Sequence, residues 1–164
     1  MHKQNLTTYL NDHYAGSVGA LEMVDNLIET FEGKPLAQFF KDMRVEIEVD
    51  QDTLESLIEK IGADPSAIKQ AGAWVAEKFS RVKIRLSGTG EDQLGLLHAL
   101  EALMLGITGK RALWTALAAA SENLPSLRLF DYAALEGRAI EQRDRVEAKR
   151  REVARLVFRH PEED

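Results

Sequence analysis

The chain has 164 residues, enough for one domain with a substantial core, and its 45% apolar and 29% charged residues are ordinary globular values. A net charge of −6 argues against a dedicated nucleic-acid binder, which is usually basic. The lack of cysteine excludes disulfides, iron–sulfur clusters and thiol chemistry, and it leaves zinc only histidine and carboxylate ligands.

Proline is scarce while Ala, Leu, Glu and Arg are abundant, a composition that favours helix. The opening MHKQNLTTYLNDHY lacks the apolar core of a signal peptide, so a cytoplasmic location is the expectation. A first helix is predicted over 6–32, capped by Asn5 or Thr7 and stopped by Gly33 and the Lys34-Pro35 pair. Leu6, Leu10, His13, Ser17, Ala20, Leu21, Val24, Leu27, Ile28 and Phe31 recur along it at three- and four-residue steps, one continuous stripe. Pro35 suits the first turn of a second helix over 36–61, ended by Gly62. Its stripe runs Leu36, Phe39, Phe40, Met43, Ile47, Asp50, Leu54, Leu57, Ile58 and Ile61, and the short turn makes the two helices antiparallel.

From Ala63 to Gly90 the pattern changes. Asp64 and Pro65 can start a short helix over 65–79 bearing Ile68, Trp74, Val75 and Phe79, followed by the basic, breaker-rich SRVKIRLSGTG. VKIRL reads as a strand only if it has a partner, and none is visible, so a crossover connection is the expectation. The stretch 91–122 is apolar on nearly every face: Leu94, Leu97, Leu105 and Ala112 on one side, Leu96, Leu100, Leu103, Ile107 and Trp114 on the other. His98 and Glu101 interrupt it and Lys110 and Arg111 close it, short of the ~20 mostly apolar residues of a membrane span. It is predicted to be the central helix. Gly106 and Gly109 inside it suggest close packing against a neighbour. Pro125 then opens a last helix over 126–158, striped by Leu135, Ala139, Gln142, Val146, Val153 and Val157. Glu141–Arg145 and Glu147–Arg151 stand four apart on it as supporting ion pairs.

Four long helices with short, long, short connections make an all-α, four-helix bundle of two hairpins joined by a long crossover that contains a short extra helix, a single domain over 1–164. An orthogonal bundle, with the 65–79 helix as a full core member, is the alternative. The informative residues are the polar ones on the apolar stripes: His13, Asp50, His98, Glu101 and Gln142, with Asp131 earlier on the last helix. At ~1.5 Å per residue, Asp50, Glu101 and Gln142 fall near one level. A buried Asp50 or Glu101 demands a partner, for which His13, His98, Arg44, Gln51 and Gln142 are candidates, His13 being the expected partner of Asp50.

LNDHYAGS, EIEVDQ, AWVAEKFSR and LEALMLGITGKRALW, in this helix order, resemble the ferritin-like superfamily, most closely its small bacterial helical proteins without an assigned activity. The resemblance implies the bundle. Its di-iron members use glutamates and two Glu-x-x-His pairs, whereas here Val49 stands three after Glu46, and His98-x-x-Glu101 is reversed and single. No metal and no cofactor is therefore expected. The sequence favours a non-catalytic bundle acting by self-association or partner binding; the alternatives are a metal-dependent protein with an altered site and a carrier of a small apolar ligand. The second apolar face of the central helix predicts a homo-oligomer, most simply a dimer. No membrane association is expected. Nucleic acid is disfavoured by the acidic charge, despite Lys78, Arg81, Lys83 and Arg85 beside Trp74 and Phe79, with Lys110 and Arg111 nearby.

Overall fold

The computed structural model describes residues 2–63, 70, 73 and 91–159. Among them lie four long helices and no strand: α1 (His2–Thr30), α2 (Pro35–Lys60), α3 (Glu91–Ser121) and α4 (Tyr132–Val157), with a short 3₁₀ turn over Pro125–Leu127. The predicted helix over 65–79, its Trp74 and Phe79, the VKIRL segment and the basic run Lys78–Arg85 lie outside the described residues. No helix among the described residues is long and apolar enough to cross a membrane.

The turn chemistry follows the sequence closely. Gly33 and Gly62 sit in the left-handed region at φ 77° and 72°, where a side chain would be strained, and Pro35 occupies the first turn of α2. The last helix starts later than expected. Pro125 opens the 3₁₀ turn instead, held by Tyr132 Oη donating to the Leu127 carbonyl at 2.6 Å, and α4 begins at Tyr132. Asp131 caps it, accepting from Ala134 N at 3.0 Å, so it is a capping residue and does not face inward with the polar cluster.

Cross-helix side-chain pairs fix the helix directions. Ser17 and Asp25 of α1 pair with Gln51 and Arg44 of α2, so these helices run antiparallel. Glu46 and Asp50 of α2 pair with Arg145 and Arg138 of α4, again antiparallel. Glu101 and Arg111 of α3 pair with Arg150 and Glu136 of α4, antiparallel once more. Hence α2 and α3 run parallel, an up–down–down–up order. Two pairs expected within α4 are replaced: Arg145 bridges across to Glu46 of α2, and Glu147 pairs with Arg150 of its own helix at 2.7 Å.

The core is built from the predicted stripes of α1, α2 and α4, and its bulk includes Leu10, Leu27, Phe40, Met43, Leu57, Leu100, Leu113 and Trp114. The two faces of α3 divide differently from expectation. Leu96, Leu103, Ile107 and Trp114, read as continuing onto a second face beyond the core, are buried, together with Leu97 and Leu100. Leu94 and Ala112 are exposed, and Leu105 is 71% exposed. An all-round apolar helix carries no moment to say which side turns inward; the bulkier arc, with Trp114, is the one the neighbours bury.

Candidate functional site

Asp50 stands on the α2 stripe, one turn after Ile47 and one before Leu54, so packing those two drags its carboxylate inward, where it is only 2% exposed. An ionised carboxylate there costs several kcal/mol unless it is paired, and this one is heavily paired. Lys110 Nζ donates to Oδ2 at 2.7 Å and Gln142 Nε2 donates to the same oxygen at 3.1 Å. Arg138 lies 3.1 Å from Oδ1, an ion pair without the alignment of a hydrogen bond. Lys110 also donates to Gln142 Oε1. Gln142, fully buried, extends the network by donating to Glu46 Oε2 at 3.2 Å, where Arg145 closes it at 2.5 Å. Three helices thus meet through one carboxylate, one ammonium and one amide.

Burial pushes the Lys110 ammonium below its ordinary pKa, against the upward pull of Asp50 and with a smaller downward push from Arg138. Glu46 is held below the usual carboxylate range, chiefly by its hydrogen bond from Arg145.

Beside this network lies a cavity of about 460 Å³, within the range of small-molecule sites. Its walls are α1 from Tyr9 to Ala20, α3 from Leu103 to Trp114, and α2 from Ile47 to Leu54. The α1 and α3 walls are each twelve residues long, ~16 Å of helix from first to last Cα. The lining is mostly apolar (Ile47, Leu54, Leu103, Ile107, Leu113), with Asp12, Asp50, Lys110, His13, Ser17 and Gln51 among its polar members. Exposed Asp12, Gly16 and Gly106 mark its mouth. A Cβ on Gly16, Gly106 or Gly109 would meet nothing within 4 Å, so the last two glycines do not serve close helix packing as expected; they leave room. Trp114 lines the same cavity, and its buried indole Nε1 has no hydrogen-bond partner among the described residues.

Of the five residues expected to cluster, the structure joins only Asp50 and Gln142. His13 is half-buried on the cavity wall, packed edge-on against Tyr9 at 4.7 Å, and it is not the partner of Asp50. Its pKa is pushed down by burial, with Asp12 opposing. His98 is exposed, because at ~100° per residue it stands about 160° round α3 from buried Leu100. Glu101 is 43% exposed at its side chain and pairs with Arg150 at 3.3 Å. The parallel register sets Asp50 opposite Lys110, nine residues or ~14 Å along α3 from Glu101. Arg44 and Gln51, the other candidate partners, bond Asp25 and Ser17 instead. Arg111 pairs with Glu136, so neither it nor Lys110 forms a surface basic patch.

The residues that sequence reasoning missed are Lys110 and Arg138. Both left a signal. Lys110 stands seven residues after Leu103 and seven before Leu117, both buried, and Arg138 stands three after Leu135 and four before Gln142. Among the described residues, no group of three or more His, Asp and Glu side chains is placed to hold a metal ion. Compared with known proteins, the chain matches no family model, no curated sequence and no solved structure.

Proposed function

We propose that this chain is a non-catalytic, ferritin-like helical bundle that binds a small, mostly apolar molecule between α1, α2 and α3. The observation that carries the reading is the cavity itself: about 460 Å³, apolar walls, and one polar corner where Asp50 and Lys110 meet. The up–down–down–up helix order supports the ferritin-like assignment. A di-iron centre of the superfamily's kind does not fit these residues. The groups that face Asp50 are an ammonium, a guanidinium and an amide, cations and a neutral donor where a metal would need anionic ligands.

Titration with a neutral fluorescent probe, N-phenyl-1-naphthylamine, tests the reading. Saturable enhancement at one probe per chain is expected, and Gly106→Leu, which places a side chain in the cavity mouth, should abolish it. Enhancement that never saturates, or that survives Gly106→Leu unchanged, would count against the cavity as the site.

A second reading, self-association, is favoured by the outer arc of α3. Leu105, Leu94, Ala112 and Ala116 lie exposed together on it. Sedimentation of the parent and of Leu105→Glu checks it: a dimer weakened by the substitution supports this face, and a parent that stays monomeric at high micromolar concentration removes the reading.

A further inference from the structure

The polar corner of the cavity has unused donor capacity, and its charge is unbalanced in one direction. The Lys110 ammonium has three protons to give. Asp50 Oδ2 and Gln142 Oε1 take two, and the third has no acceptor among the described residues. One turn further along the same helix, on the same cavity wall, the Trp114 indole N–H is 1% exposed as a residue and also without a partner. A buried donor left unsatisfied is costly, so the Trp114 N–H, with the spare Lys110 proton one turn away, calls for an acceptor.

The charges say which acceptor. Asp50 is shared between Lys110, 16% exposed at its side chain, and Arg138, which reaches water, so the trio carries one excess positive charge and Lys110 is its buried cation. Glu46 and Arg145 cancel each other behind it. The one other charged group on the lining, Asp12, is exposed at the mouth, where water and salt screen it. An amine head would meet the Lys110 ammonium, with Asp50 already committed to Lys110 and Arg138. A hydroxyl would accept a hydrogen bond but leave the excess charge unmatched. A carboxylate answers both demands, and hydrogen bonds between opposite charges are the strong ones.

We propose that the molecule bound here is an apolar carboxylate of medium chain length, its head received by Lys110 beside Trp114 and its body lying against Leu103, Ile107 and Leu113. This rests on the cavity being a ligand site at all. The ammonium that burial and Arg138 destabilise regains a counter-charge on its open side, so binding and protonation of Lys110 reinforce each other.

The test displaces N-phenyl-1-naphthylamine with three ligands of one chain length, decanoate, decanol and decylamine, each below its micelle-forming concentration. Decanoate should compete at a concentration about ten- to hundredfold below decanol, the range of one hydrogen bond between charged groups, with decylamine weakest. In Lys110→Met the decanoate advantage over decanol should vanish, and Lys110→Arg, which keeps the charge, should retain most of it. The ranking on the parent protein needs no variant to fold. Equal competition by decanoate and decanol on the parent, or an advantage that persists in Lys110→Met, overturns the carboxylate assignment and leaves the cavity standing. Failure of the parent to bind the probe overturns the cavity and the assignment together.

Discussion

Removing Asp50 should be the most damaging single polar substitution in this bundle. Asp50→Ala strands the Lys110 ammonium, whose side chain is only 16% exposed, and takes from Gln142 Nε2 one of its two acceptors, leaving Glu46. Arg138, 37% exposed at its side chain, can turn to water; Lys110 cannot do so as readily. Breaking a buried pair by removing one partner costs about 3–5 kcal/mol. With a urea slope of roughly 2 kcal/mol per molar, the unfolding midpoint should fall by about 1.5–2.5 M. The decisive comparison is the double variant Asp50→Leu with Lys110→Leu, which removes both charges. It should recover much of the loss and show a coupling of roughly 2–3 kcal/mol between the sites. Asp50→Leu with His13→Leu should recover nothing, since no bond joins that pair. The reasoning fails if Asp50→Ala unfolds within about 1 kcal/mol of the parent, or if the Asp50–Lys110 double variant costs the sum of its singles.

Burial holds His13 below its ordinary pKa of 6.5, so the unfolded chain takes up the proton first as pH falls; the stability that a neutral His13 contributes is complete above 6.5 and lost as pH falls from there through the folded value. Imidazole proton NMR should place its titration below 6.5, and His13→Gln should flatten the stability profile over that window. Asp131→Ala removes the cap on α4 and should cost about 1 kcal/mol in urea unfolding without touching probe binding. Gly106→Leu should leave stability equal or raised by up to ~1 kcal/mol, through helix propensity, while probe binding is lost. A large destabilisation would mean that the site is closely packed.

The architecture was legible where the pattern had a strong period. The α2 stripe and the Leu135, Ala139, Gln142, Val146, Val153 face of α4 predict the core closely, because a narrow apolar arc has one way to turn inward, whereas the α1 stripe is buried at Leu10, Val24 and Leu27 and only half-buried elsewhere. α3 was not legible in the same way. With apolar residues on every side, its orientation depends on which arc the neighbours have room for, and that choice sent His98 and Glu101 outward. Asp50 and Gln142 were found as polar interruptions of clear stripes. Lys110 and Arg138 were missed because long cationic side chains read as surface residues, although their seven- and three-to-four-residue spacing to core positions placed them inside. The register between α2 and α3, which pairs Asp50 with Lys110 and not with Glu101, is a property of how the two helices pack and leaves no trace in either helix alone.

The central claim is that the space between α1, α2 and α3 holds a ligand. Intermolecular NOEs between bound N-phenyl-1-naphthylamine and carbon-13-labelled methyl groups test it most directly. Contacts to Leu54, Leu103, Ile107 and Leu113 are predicted, with none to Leu94 or Leu105 on the outer face of α3. Contacts confined to Leu94 and Leu105, with the four cavity methyls silent, would contradict it.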